Sequence, residues 1–163
     1  MALRKHRPGE LVIEQTRDLV RVREMIAGAG MMTEGIEWPA ACYILAYNGD
    51  EAIGVIGIEA RIDAALIRSL YVKPVMRRRG IGAGLLTAAR KAAHTRGARH
   101  LYLFSTDAGS FFERQGFEPA EVADVIAALS GVPQVEHYRA RPDELAREAA
   151  YHLDISGDGV IER

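Results

Sequence analysis

The chain has 163 residues, 48% hydrophobic and 26% charged, the size of one domain that buries roughly 70% of its unfolded surface. Those values disfavour a disordered, collagen-like or coiled-coil chain, and 21 Lys+Arg against 22 Asp+Glu leave no basic field to hold a nucleic acid. The single cysteine, Cys42, builds neither an intrachain disulfide nor a multi-cysteine zinc site, and the apolar runs 42–47 and 52–58 fall far short of the roughly 20 residues of a membrane span.

Residues 1–9, basic and without an apolar stretch behind them, read as a flexible tail and not a secretory signal. The β-branched run 10–14 reads as a first strand, and Thr16-Arg-Asp18 starts a helix whose Leu19, Val22 and Ile26 share one face, ended by Gly28-Ala-Gly30. Residues 31–39, with Met31, Met32 and Trp38, form a second helix or a loop over a cleft and are candidates to line a pocket. Runs 42–47 and 52–58 flank Asn48-Gly49, a hairpin signal, and a reversal at 61–63 leads into a third antiparallel run, 65–72, stopped by Lys73-Pro74.

A glycine-rich turn then opens a helix over 81–96, with Ile81, Leu85, Ala88 or Ala89 and Ala92 on one face and Gly97 as its stop. A strand at 98–104, a short helix at 107–115 and the exit Gly116-Phe117 follow. The last third reads as a helix over 122–129, a loop around 131–133 and a final strand over 149–155, with a helix starting at Asp143 as the rival. In that strand Tyr151, Leu153 and Ile155 share one face and His152 and Asp154 the other. His94, Arg96, Arg99 and His100 read as positive charge at a helix C-terminus, and His137 and His152 show no metal-ligand spacing. No repeat or linker divides the chain, so residues 1–163 form one domain.

The informative stretch is Arg77-Arg-Arg-Gly-Ile-Gly-Ala-Gly84, between a strand and a helix. First-turn N–H groups there lack intrahelical partners and point along the positive end of the helix dipole, so the turn suits a phosphate. Glycines let the backbone approach it and arginines add charge at the rim. No Lys-Ser or Lys-Thr follows as a Walker loop requires, and Leu85 stands where a dinucleotide fingerprint needs Gly or Ala.

Together with Ser69-Leu-Tyr-Val-Lys-Pro74 before it and Phe111-Phe-Glu-Arg-Gln-Gly-Phe117 after it, this pattern resembles the GCN5-related N-acetyltransferases. The resemblance implies an α/β (α+β) fold, a mixed, largely antiparallel twisted sheet flanked by helices. Its central strands, 66–72 and 98–105 here, splay to admit the pantetheine arm of acetyl-CoA. By the same resemblance the backbone of Leu70, Tyr71 and Val72 holds that arm, and Arg77, Arg78, Arg79, Gly80, Ile81, Gly82, Ala83 and Gly84 hold the pyrophosphate. Ser105, Phe111 and Arg114 flank the cofactor. The run 101–106 and the Phe111-Phe112 pair also resemble the branch containing arsenic-resistance and N-acetylglutamate-synthase-like members.

One departure matters for mechanism. Phe112 stands where the family often has the Tyr that protonates the departing thiolate, and a phenyl ring donates no proton. Ser110, Tyr102 or water are the replacements, and general-acid catalysis is worth only ~10²–10⁴ in rate. The implied reaction is direct attack of an amine on the thioester, through a tetrahedral oxyanion held by N–H groups near Val72. The amine must first lose a proton. Glu59 is the first candidate base, with an exposed strand-end charge as its alternative reading, and Glu37 is the second.

The expectation is a cytoplasmic, acetyl-CoA-dependent, metal-free N-acetyltransferase acting on a small-molecule or amino-acid-like amine. Residues 28–39 and 121–141 would shape acceptor choice, and a homodimer is the family-level expectation. A noncatalytic acyl-CoA sensor and a protein lysine acetyltransferase are the rival readings.

Overall fold

The computed structural model describes residues 6–159. Seven strands, β1 (Leu11–Thr16), β2 (Ala41–Asn48), β3 (Glu51–Ala60), β4 (Ala64–Val72), β5 (His100–Ser105), β6 (Glu118–Ala120) and β7 (Ala149–Asp154), form one sheet in the order β1-β2-β3-β4-β5-β7-β6. Every neighbouring pair is antiparallel except β4 and β5. The helices are α1 (Leu19–Gly28), α2 (Ile81–Thr95), α3 (Gly109–Arg114), α4 (Val122–Ala128), α5 (Pro133–Arg139) and α6 (Pro142–Leu145). None of the described helices is long and apolar enough to cross a membrane.

The sheet is covered on both faces, and strand alternation divides the core. Ile44, Ile56, Ile58, Leu101 and Leu103 pack on Ile81, Leu85, Ala89 and Ala92 of α2. On the other face Tyr43, Leu45 and Val55 pack on Val22 and Ile26 of α1, whose start is capped by the Asp18 carboxylate accepting from Arg21 N–H at 3.1 Å. Leu66 and Ala150 pack on Val125, Leu129, Val132 and Val135 of α4, α5 and their connection.

Asn48 pairs with Glu51, so the two turn residues of the β2–β3 hairpin are Gly49 and Asp50, and the positive φ (61°) belongs to Gly49. The expected tail is corrected over 6–9. His6 N–H donates to Asp50 Oδ1 at 3.1 Å and its ring lies 4.7 Å from that of Tyr47, which docks the segment on the hairpin turn. Residues 1–5 lie outside the described residues. The segment 31–39 is a loop, and its Trp38 packs with the α4–α5 cluster.

The rival helix from Asp143 stops at Leu145, and β7 pairs with β5 throughout. The loop expected around 131–133 holds at Gly131 and Val132, while Pro133 already starts α5, in a first turn where a missing N–H costs nothing. His100 does not cap α2. It lies in β5, its Nδ1 2.9 Å from Nε2 of His152 across the β5–β7 ladder.

Candidate active site: a cleft between parting strands

β4 and β5 pair only at Ala64–His100, Ala65–Leu101 and Leu66–Tyr102. Beyond Leu66 the β5-facing edge of β4 has no strand partner, and a cleft of about 450 Å³ opens between them. A β-bulge marks the parting. Arg68 lies opposite Gly57 and Tyr71 opposite Val55, so Ser69 and Leu70 stand against one residue of β3. Ser69 has φ 59°, a left-handed conformation unfavourable for a non-glycine residue. Ser69, Leu70, Ser105 and Phe111 all line the cleft.

At one end of the cleft a 3-10 turn (Pro74–Met76) and Gly80, φ 76°, lead into α2. A Cβ at Gly80 would meet nothing within 4 Å, so its backbone angle is what calls for glycine. A Cβ at Gly82 would lie 3.7 Å from Phe111 and 4.0 Å from Val72, which places the first turn of α2 where the ends of β4 and α3 converge. The N–H groups of Ile81, Gly82 and Ala83 precede the first i to i−4 bond and point out of the helix. Gly84 N–H already donates to Gly80 C=O at 3.0 Å, and a Cβ there would come within 2.8 Å of Ile13 Cδ1. Gly84 therefore serves the approach of α2 to β1.

Arg77 Nε donates to Val72 C=O at 2.9 Å while its guanidinium lies 5.6 Å from the Tyr71 ring centre, tying the turn to the end of β4. Arg78 and Arg79 are exposed, without ion-pair partners among the described residues. Arg114, in the last turn of α3, is exposed as well. These residues fit a pyrophosphate, which needs free N–H donors, backbone without side-chain obstruction and mobile cations at the rim.

The other end is walled by Met31 and Met32, by Arg68, by Gln134, His137 and Tyr138 of α5, and by Asp107, Glu144 and Glu148. Glu59 is wholly buried, not exposed at a strand end. Its Oε2 accepts from Arg68 Nη1 at 2.9 Å and its Oε1 from Gln134 N–H at 3.0 Å. Burial pushes the Glu59 carboxyl up, against the opposing pull of Arg68. Arg68 also donates to Glu34 C=O at 2.8 Å, Met32 C=O at 2.7 Å and Ser69 Oγ at 3.1 Å. This pair joins the bulge, the 31–34 segment and the start of α5. Gly35, φ 75°, passes so close to Pro133 that a Cβ would lie 2.2 Å from Pro133 Cβ.

The remaining candidates lie apart. Glu37 is exposed and paired with Arg23, away from the cleft. Ser110 is exposed on α3 and is not among the lining residues. Tyr102 does not line the cleft but a separate pocket, where it packs on His152 at 4.9 Å between ring centres. Phe112 borders the cleft from an aromatic cluster, 5.1 Å from Phe111 and 5.8 Å from Phe117 between ring centres.

The sequence reading did not assign His137, Tyr138, Glu144 and Glu148 to the site. His137 Nε2 lies 2.9 Å from Glu144 Oε2 and its Nδ1 3.2 Å from Glu34 Oε2. Tyr138 O–H donates to Glu148 Oε1 at 2.8 Å. The signal available for them was Pro133 as a helix-starting residue, which puts His137 and Tyr138 on one short helix.

Residues 39–119 match the family model described as Acetyltransferase (GNAT) domain. No curated protein sequence matches the chain. Among solved structures, a GNAT-family acetyltransferase from Staphylococcus aureus superimposes with a TM-score of 0.69 at 16% identity, covering 90% of this chain and 99% of that one. N-acetylglutamate synthase from Neisseria gonorrhoeae, complexed with coenzyme A and N-acetyl-glutamate, gives 0.68 at 18% identity, covering 91% of this chain and 36% of that one. A Mycobacterium tuberculosis protein in complex with CoA gives 0.65 at 16% identity, covering 88% and 98%.

Proposed function

The chain belongs to the GNAT acetyltransferase family, and from that premise we propose that it transfers the acetyl group of acetyl-CoA to the amine of a small molecule. The observation that carries this reading is the convergence at Gly82. There the unpaired edge of β4 and Phe111 of α3, which both line the cleft, meet the open first turn of α2. The thioester supplies an activated acyl group and a good leaving group.

The chain's own groups bind and orient. Ile81, Gly82 and Ala83 offer N–H groups to the pyrophosphate, Arg78 and Arg79 neutralise it, and the unpaired edge of β4 at Leu70 offers backbone donors along the arm. Arg77 ties this cradle to the end of β4, and Gly84 lets α2 approach β1. Glu59, buried against Arg68, positions the acceptor wall and does not touch substrate. The proton of the attacking amine passes to His137 and Glu144, titratable groups that line the cleft. A small acceptor is favoured because the Met31–Met32 segment, α5 and α6 wall that end.

The rival reading as a noncatalytic acyl-CoA sensor draws on Phe112, which gives the thiolate no acid. The two separate on turnover. Thiol release from acetyl-CoA is followed with and without a panel of small amines, with acetylated amine identified by mass spectrometry. Amine-dependent release is expected, and tight acetyl-CoA binding with no release across the panel overturns the enzymatic reading.

A further inference from the structure

The acceptor end of the cleft has an unbalanced charge, and this deepens the reading above while resting on it. Asp107, Glu144 and Glu148 line it, against a single lining cation, Arg68. Arg68 is spent on protein. Of its five N–H donors, four go to Glu59, Glu34 C=O, Met32 C=O and Ser69 Oγ. Its charge is matched by the buried Glu59 carboxylate 2.9 Å away. Arg141, which does not line the cleft, lies 3.4 Å from Glu34 and 3.9 Å from Glu144, and its Nη1 2.9 Å from His137 Nδ1.

Two carboxylates are left over. Glu148 has a hydroxyl for a partner, Tyr138 O–H at 2.8 Å, and no ion pair among the described residues, and Asp107 has none either. Glu148 is also held in place. It directly precedes β7, whose Ala149 pairs with Ser105, and the Tyr138 ring that binds it packs edge-on against Phe104, 5.1 Å between centres. Burial pushes its carboxyl up, the Tyr138 hydrogen bond pulls it back and the Asp107 charge pushes it further up. A cation between these two groups would relieve both burial and repulsion.

We propose that Glu148 and Asp107 make the acceptor end select an amine carrying a second positive charge, a diamine or polyamine, over an amino acid. A substrate carboxylate entering this end meets two like charges and no free guanidinium, whereas a remote ammonium meets Glu148 beside Asp107 while the other amine, uncharged, faces the thioester. The dication is thereby bound with its reactive end oriented.

Three acceptors of similar length test this: putrescine, butylamine and γ-aminobutyrate. Their affinities for the CoA-saturated protein are measured by calorimetry and their kcat/KM by thiol release, in wild type, E148Q and D107N. Putrescine should exceed butylamine by about tenfold, between the worth of exposed and of buried charge pairs, and γ-aminobutyrate should rank last. E148Q should bring the putrescine-to-butylamine ratio close to one through KM, with KM for acetyl-CoA unchanged. A general base common to all three acceptors would leave that ratio alone. D107N, at an exposed position where folding is not at risk, should lower it partly, and added salt should compress it. Equal or better binding of γ-aminobutyrate, or an unchanged ratio in both variants, overturns the proposal. Acetyl-CoA binding without turnover of any amine defeats acetyl transfer instead, and the binding measurements still decide the charge preference.

Discussion

Arg68 Nη1 and Glu59 Oε2 face each other at 2.9 Å with side chains 1% and 0% exposed, between the bulge of β4 and the start of α5. The charges are compensated by each other and by four further hydrogen bonds, to Ser69, Met32, Glu34 and Gln134. Space for them depends on Gly57, where a Cβ would lie 2.6 Å from the Tyr43 ring and 3.0 Å from Arg68 Cγ.

Removing one member leaves the other buried and unpaired. E59A should cost about 3–5 kcal/mol in denaturant unfolding. Replacing both residues with apolar ones of similar volume, E59L with R68M, should recover much of that loss. Because the pair also fixes the 31–34 segment, the double variant should raise KM for the amine more than KM for acetyl-CoA. Steady-state kinetics in both substrates reads this out.

The three glycines of the α2 entry should separate by role. G80A forces a side chain into φ 76° and should cost about 1–2 kcal/mol of stability. G84A meets the mobile tip of Ile13 at 2.8 Å, so it should change stability modestly and leave CoA affinity intact. G82D places a carboxylate against bound phosphate and should abolish CoA binding while the protein stays folded. Thermal denaturation and CoA titration of the three variants check the set.

Two imidazoles share a cross-strand contact at 2.9 Å, His100 Nδ1 to His152 Nε2, in which one ring donates and the other accepts. Burial lowers the His152 pKa, as does the His100 charge, while Asp154 and Glu118 oppose them. The folded state therefore binds fewer protons than the unfolded chain below the ordinary histidine value of about 6.5. Stability should be full above that pH and be lost as pH falls through the lowered folded value. Melting temperature followed from neutral to mildly acidic pH should show this loss, and H152Q should flatten it.

Much of the fold was legible because its signals are local. The alternation in β2 and β3, the apolar face of α2 and the glycine-rich entry to it depend on residues close together in the chain. The open first turn of α2, proposed to hold the phosphate, could be read for the same reason, since one stretch of chain supplies it. The acceptor end could be read only as the segments 28–39 and 121–141, which supply Met31, Met32, His137 and Tyr138 to its wall. Its wall is assembled from the 31–34 segment, the β4 bulge, α5 and the approach to β7, and it closes only when Arg68 meets Glu59 across two strands. Glu59 looked like a base because a carboxylate on a strand suggests reactivity, yet the partner that silences it lies nine residues away on the next strand. Gly131-Val-Pro133 looked like a loop, and the same proline begins the helix that carries His137 and Tyr138.

The central claim is that the cleft opened beyond Leu66, together with the first turn of α2 at Gly82, is the acetyl-CoA site. Calorimetric titration of acetyl-CoA into wild type and G82D tests it most directly. The account predicts saturable binding at one site per chain in wild type and none in folded G82D. Absence of binding to wild type, or equal affinity in the two proteins, would contradict it.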